Sequence, residues 1–285
     1  MSRVTGYEAI IFDLDGTLYR GRSPIPGAIA ALDRFREAAR CLFLSNNGEL
    51  QSRALVERLR DFGFDVAPGE VISSADHVLQ QTSAYPSSTR ILPLTSPHLA
   101  AALAEQGHQL VEDETAEIVV IGVDRELTRE RMVSGLRAAL NGAIMVATNE
   151  DPTYPGENGL RPAAGAYVGF FRGMGIEPAF LCGKPDEGAV RDALRLWQIA
   201  EPSNCLFVGD NLRTDIEAAN RVGADSILVL SGVARRQDTV AATAKPSLIV
   251  ESVAEIDVAV IAEGVGRTPT KDAPAGTWNP RKATA

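Results

Sequence analysis

The run Ala9-Ile10-Ile11-Phe12, followed directly by Asp13-Leu14-Asp15-Gly16-Thr17, constrains this chain more than any other stretch. Four apolar residues in a row predict a strand buried on both faces, as in the middle of a parallel sheet. Two carboxylates then arrive at its C-terminal end, where open α/β sheets bind ligands. Gly16 lets the backbone turn sharply and come close to a ligand. Alternation along an extended segment puts Asp13 and Asp15 on one face, with Leu14 packing inward. Acids this close repel unless a cation or a shared proton compensates. A divalent metal is the simplest compensation, and an oxygen-only set suits magnesium. An Asp-Gly turn alone is common, so the weight rests on the whole run.

A chain of 285 residues fits two domains, or one core with a large insertion. With 45% apolar and 23% charged residues it has the composition of an ordinary globular protein. The net charge of −9 argues against a nucleic-acid partner, because phosphate backbones recruit basic faces. A small phosphorylated substrate stays open, since a metal and a few local cations set the potential inside a site. Met1 to Glu8 contains no apolar core of signal-peptide length, and no apolar stretch is long enough to span a bilayer. The expectation is a cytoplasmic protein with no membrane partner. Cys41, Cys182 and Cys205 are widely spaced beside apolar runs, which predicts buried free thiols. His77, His98 and His108 lack metal-ligand spacing and read as ordinary helix or loop residues.

Past the first motif, Gly21 to Gly27 reads as a turn-rich link. Ala28 to Ala39 shows helical spacing at Ile29, Leu32, Phe35 and Ala39. The strand Cys41 to Leu44 ends in Ser45-Asn46-Asn47-Gly48, a helix covers about Gln51 to Gly63, and Val71-Ile72-Ser73 forms a short strand. This β-α-β-α-β alternation predicts a parallel, doubly wound sheet. The hydroxyl and successive N–H groups of Ser45-Asn46-Asn47 suit phosphoryl oxygens. Ser and Asn also cap helices, so these residues alone leave both readings open.

From about Leu79 to Leu181 a second α/β unit is predicted. Its strands are Arg90 to Leu94, Ile118 to Gly122 and Ala143 to Ala147, and its helices are His98 to Gln106 and Arg129 to Leu140. Thr148 to Pro162 then reads as a long polar loop rich in Pro and Gly, either functional or a solvated connection. Lys184 is flanked by Gly183 and Pro185, which fix its backbone, and a helix Glu187 to Trp197 follows. Another buried strand, Asn204 to Val208, ends in Gly209-Asp210-Asn211-Leu212-Arg213-Thr214-Asp215-Ile216, and Ser226 to Leu230 and Ser247 to Val250 close the sheet. The expected division is a discontinuous core of residues 1–78 and 182–264, an inserted unit of 79–181 and a disordered tail of 265–285.

Together these stretches resemble the haloacid dehalogenase (HAD) superfamily, most of whose members are phosphatases. Asp13-Leu14-Asp15-Gly16-Thr17 resembles its first motif, Ser45 its second, Lys184 its third and Gly209-Asp210-x₄-Asp215 its fourth, in the family's order. Ser45-Asn46-Asn47 is similar to the Thr-Asn-Asn of the NagD/p-nitrophenylphosphatase branch (class IIA, large α/β cap). The chain departs from that branch at Gly48, where Ser is usual, at Asn211, where Arg is common, and at Ala163-Ala164-Gly165-Ala166, where a Gly-x-Gly-like turn is typical.

The resemblance implies an α/β fold: a Rossmann-like, doubly wound parallel-sheet HAD core with an inserted α/β cap domain. It implies that Asp13 attacks phosphorus and that Asp15 is the general acid and base. Ser45, Asn46 and Lys184 would bind the phosphoryl group. Asp13, the Asp15 backbone carbonyl and Asp210 would hold Mg2+, and Asp215 would hold a metal-bound water or orient Lys184. The cap loop would descend over the site, with Asn149, Glu150, Asp151 and Arg161 as candidates for contacting substrate. A carboxylate nucleophile splits a hard hydrolysis into two displacements. A second carboxylate can protonate the leaving alcohol and later deprotonate water.

The expected activity is a magnesium-dependent phosphomonoester hydrolase acting on a small phosphorylated metabolite through an aspartyl-phosphate, with a homodimer through the cap as the expected assembly. A phosphotransferase would place an alcohol where water attacks. A dehalogenase needs no acid at Asp15, and a receiver-like phospho-Asp module needs neither Asp15 nor the second unit. The first strand is not followed by Gly-x-Gly-x-x-Gly, which argues against dinucleotide binding.

Overall fold

A computed structural model describes residues 6–156 and 159–265. The expected disordered tail lies outside this range from residue 266 onward, as do Glu157 and Asn158 of the predicted loop. Strand β1 (Ala9–Phe12) is buried throughout. Ile10 and Phe12 enter one apolar cluster, and Ala9 and Ile11 enter another. That two-sided burial is what an unbroken apolar run requires. In place of a simple link, β2 (Tyr19–Arg20) and β3 (Ser23–Pro24) form a small antiparallel hairpin. Then come α1 (Ala28–Arg36), β4 (Arg40–Ser45), α2 (Ser52–Asp61) and β5 (Val71–Ser73).

Helix α3 (Ser74–Thr82) is absent from the predicted elements. It starts at a capping box: the Asp76 N–H donates to Ser73 Oγ at 3.2 Å, and the Ser73 N–H donates to Asp76 Oδ2 at 2.8 Å. It runs unbroken across residues 78 and 79, where the insertion is predicted to begin.

The second sheet uses β6 (Arg90–Leu94), β7 (Gln109–Leu110), β8 (Ile118–Ile121) and β9 (Ile144–Ala147), with α4 (Pro97–Glu105) and α5 (Arg129–Leu140) between them. The predicted loop proves to contain a hairpin of β10 (Thr153–Gly156) and β11 (Gly159–Pro162). Prolines are tolerated there because each strand of a two-stranded ribbon is an edge. At Ala163–Ala166, where the chain departs from the branch's typical turn, helix α6 (Ala164–Arg172) begins. Gly165 serves close approach in that helix, since a Cβ there would lie 2.2 Å from the Glu150 carbonyl oxygen. With β12 (Phe180–Leu181) the strand order is β12-β9-β8-β6-β7, parallel throughout. Helices α3 and α4 pack on one face, and α5 and α6 on the other.

The chain then returns to the first sheet through α7 (Glu187–Leu196), β13 (Cys205–Gly209), a π-helical turn at Leu212–Ile216, α8 (Glu217–Val222), β14 (Asp225–Val229), α9 (Asp238–Ala241), β15 (Leu248–Val250) and α10 (Val258–Glu263). Its order is β15-β14-β13-β1-β4-β5, all parallel. Helices α1 and α2 cover one face, while α7 and α8 cover the other. The fold is therefore a Rossmann-like doubly wound α/β core carrying a second parallel α/β unit. The chain leaves β1 toward β4 on one side, and β13 flanks it on the other. That reversal opens a crevice at the C-terminal end of β1, where Asp13 emerges. Among the described residues no helix is long and apolar enough to cross a membrane. The three cysteines are buried and free.

Candidate active site

Beyond β1 the backbone stays in the sheet for one more residue, with the Asp13 N–H donating to the Val208 carbonyl at 2.9 Å. Leu14 is fully buried and reverses the chain, its carbonyl accepting from the Leu18 N–H at 2.9 Å. Gly16 takes φ 87° and meets Asp210, where a Cβ would lie 2.4 Å from Oδ2. A Cβ at Gly232 would lie 1.7 Å from the same oxygen. Two glycines thus make the space for Asp210, whose Oδ2 accepts from the Val233 N–H at 2.6 Å.

Lys184 is buried beneath these acids. Its Nζ donates to Asp13 Oδ1 at 2.8 Å and to Asp215 Oδ1 at 2.7 Å. The Asn46 side chain clamps the lysine backbone on both sides. Lys184 N–H donates to Asn46 Oδ1 at 2.7 Å, and Asn46 Nδ2 donates to the Lys184 carbonyl at 2.9 Å. Asp215 rides on the π-helical turn and accepts from the Asn211 N–H at 3.0 Å. Gly209 is obligatory beside it, since a Cβ would lie 2.2 Å from Asp215 Cγ.

Burial raises the Asp13 carboxyl well above its ordinary range against the pull of Lys184, and Asp215 and Asp210 raise it further. Burial and then the Asp215 charge push Asp210 up to about 7. Burial acts to lower Lys184, but Asp13 and Asp215 outweigh it and hold the ammonium above its usual value. Asp15 keeps an exposed edge at the mouth of the site. Desolvation by the surrounding protein nevertheless raises its carboxyl, opposed by the Tyr19 hydroxyl at 2.9 Å.

The donor chemistry fits a hard divalent cation. Oxygens of Asp13, Asp210 and Asp215 lie within 4.8 Å of one another. Only the Lys184 ammonium contacts this cluster as a cation among the described residues, leaving buried negative charge in excess. Oxygen ligands with that surplus are what magnesium takes.

Ser45 is buried at the end of β4, and its Oγ accepts from the Asn47 N–H at 3.1 Å. The four cap candidates divide. Asp151 is brought to the site through Asn46, whose Nδ2 donates to its Oδ2 at 3.0 Å. Burial raises the Asp151 carboxyl, and Asn46 acts against it. Asn149 braces the same junction, donating to the Asn46 carbonyl at 2.8 Å. Glu150 turns away into an ion pair with Arg172. Arg161 lies on β11 and lines a separate cleft with Arg125, Tyr154 and Tyr167. Gly48 also gains a reason, because a Cβ there would lie 2.6 Å from Thr148 Cβ. Thr148 fills the space that a serine at 48 would need.

Several contributors are not among the predicted residues. Tyr19 holds Asp15, the Arg58 charge on α2 acts on both, and the loop at Gly232-Val233 closes over Asp210. In sequence Tyr19 looks like the end of an apolar run, and only its spacing from Asp15 on a tight turn hints at contact.

An acid pair just beyond the central strand of a doubly wound sheet, with a buried lysine between Asp13 and the distant Asp215, marks an α/β protein whose site suits a cation and an anionic ligand. Comparison with known proteins narrows the class. Residues 10–109 match the family described as haloacid dehalogenase-like hydrolase, and residues 181–256 match HAD-hydrolase-like. An acid sugar phosphatase from Staphylococcus aureus is 33% identical over 234 residues, covering 81% of this chain and 90% of the relative. A p-nitrophenyl phosphatase from Archaeoglobus fulgidus superposes with a TM-score of 0.80 at 29% identity, covering 87% of this chain and 97% of that one. A glycerol phosphate phosphatase from Mycobacterium tuberculosis, solved with magnesium, gives a TM-score of 0.78 at 30% identity, covering 90% and 79%. The chain belongs to the HAD-like hydrolases and is a phosphatase of the NagD/p-nitrophenyl phosphatase branch.

Proposed function

We propose that this phosphatase hydrolyses phosphomonoesters of small metabolites with magnesium, through an aspartyl-phosphate on Asp13. The observation that carries the reading is the Lys184 ammonium held between Asp13 and Asp215 at 2.8 and 2.7 Å. It neutralises a nucleophilic carboxylate that would otherwise repel an approaching phosphate. An Asp13 oxygen forms a bond to phosphorus as the ester oxygen leaves and takes its proton from Asp15. Asp15, now ionised, takes a proton from water as that water attacks the aspartyl-phosphate. Phosphate departs, and Asp13 and protonated Asp15 are restored. The raised carboxyl of Asp15 lies in the direction a general acid needs.

Ser45 Oγ and the Asn46 backbone N–H serve the phosphoryl oxygens, while the Asn46 side chain is committed to Lys184. Asp13, the Asp15 carbonyl and Asp210 would hold the magnesium. When bound, it neutralises phosphoryl charge that one lysine cannot balance. The names of the relatives favour a phosphorylated sugar or polyol as substrate.

A phosphate-release screen over sugar, polyol and nucleoside monophosphates, with magnesium and with chelator, tests this. Turnover of at least one metabolite that chelation abolishes and magnesium restores is expected. Full activity in excess chelator, or no release from any monoester, contradicts it.

A further inference from the structure

Asp15 has two carboxylate oxygens, and general acid catalysis uses one of them at a time. Among the described residues the Tyr19 hydroxyl is the only side-chain hydrogen-bond donor to this carboxylate, at 2.9 Å from Oδ2. Tyr19 is poorly placed to move. It is fully buried, its ring lies 5.2 Å from that of Phe62 at 56°, and its carbonyl accepts from the Gly16 N–H at 2.7 Å. The residue holding Asp15 is thus latched to the same tight turn that presents Asp15.

An ionised carboxylate has acceptors and no donor, so in that state the bond can run only from the phenol to Asp15 Oδ2. Arg58 on α2 acts on both groups through its charge.

We propose that Tyr19 is a positioning residue that occupies Asp15 Oδ2 and leaves Oδ1 to exchange the proton with the substrate's leaving oxygen. This rests on the reading of Asp15 as the acid and base, and adds which oxygen acts and what holds it. Without the phenol proton the carboxyl can rotate, and both oxygens compete for the catalytic position. Misplacement of a reacting group is expensive even when binding is intact. The loss should therefore appear in kcat and not in KM, and only where the leaving group needs a proton.

Tyr19→Phe keeps the ring and its packing and removes only the hydroxyl. Single-turnover phosphoryl transfer is measured with phenyl phosphate and with p-nitrophenyl phosphate, on variants whose thermal midpoints show that they are folded. Asp15→Asn is run in parallel. The expected result for Tyr19→Phe is a loss of roughly 10-fold or more with phenyl phosphate and less than about 2-fold with p-nitrophenyl phosphate, at unchanged KM. Equal losses for the two esters, or no loss, in Tyr19→Phe while Asp15→Asn discriminates between them overturns the inference alone. No discrimination by Asp15→Asn removes the reading beneath it.

Discussion

The phosphoryl site on the six-stranded sheet and the cleft beside the hairpin use similar residue types held in opposite ways. In the first, every charged group is spoken for. Lys184 contacts two carboxylates while Asn46 grips its backbone, and Asp210 and Asp215 each accept a backbone N–H. In the second, Arg125 pairs with Glu49 at 3.1 Å, but exposed Arg161 forms no ion pair among the described residues and lines a cleft of about 180 Å³ with Arg125, Tyr154 and Tyr167. The difference fits the proposed function. A phosphoryl group is the same in every monoester, so its site can be rigid, and burial makes its charges strong. Leaving groups differ, and on the proposed function Arg161 would be the polar group left free to meet them.

The harshest way to break the comparison is to remove a group from the rigid side. Lys184→Met leaves two buried carboxylates without their cation, which should lower turnover by roughly 10²–10³-fold or more. Breaking a buried pair typically costs about 3–5 kcal/mol, so the thermal midpoint should fall as well, and further in chelator than in magnesium. A Lys184→Met protein with ordinary kcat would show that the lysine only supports the fold.

The junction between the two regions gives a smaller effect. Gly48→Ser should cost about 1–3 kcal/mol through crowding against Thr148, and Thr148→Gly in the same chain should recover it. Denaturant titration of the two variants measures this directly. Full stability in Gly48→Ser alone would mean that the cap shifts freely over the core.

The acid cluster also predicts a pH response. Asp210 is pushed up to about 7 in the folded protein from an ordinary value of 3.8, and Asp13 moves in the same direction. Across that window the native state binds a proton that the unfolded chain has lost, so metal-free stability falls as pH rises from about 4 to about 7. Lys184 is raised from an already higher value and adds no slope there. Magnesium should therefore stabilise the protein more at pH 8 than at pH 5. A metal-free midpoint that climbs through this window contradicts the electrostatic account.

These core residues were legible in the sequence because Asp13, Ser45 and Asp210 end apolar strands and Gly and Pro flank Lys184. The contacts that aim them were not. Asn46 reaches Lys184 across 138 positions, and no local pattern encodes that. Tyr19 looks like an ordinary core residue until the turn after Leu14 brings its hydroxyl to Asp15. The hairpin β10–β11 was masked by its own prolines and glycines, and the start of α6 by Gly165, which is there for close approach to Glu150. Sequence shows where chemistry emerges from a sheet, whereas long-range contacts decide how it is held.

The mildest prediction concerns the open side. Arg161→Gln should change the ranking of metabolites by a few-fold to roughly 10-fold while leaving kcat/KM for p-nitrophenyl phosphate within about 2-fold. An unchanged ranking would place discrimination at Asn149 and Asp151 instead.

The central claim is that Asp13 becomes phosphorylated. Acid-quenching the enzyme during turnover of p-nitrophenyl phosphate, followed by peptide mass analysis, tests it most directly. A phosphoryl group is expected on the peptide containing Asp13, discharged on longer incubation and absent in Asp13→Asn, which turns over no faster than background. Turnover with no trapped phosphopeptide together with an active Asp13→Asn enzyme would contradict it.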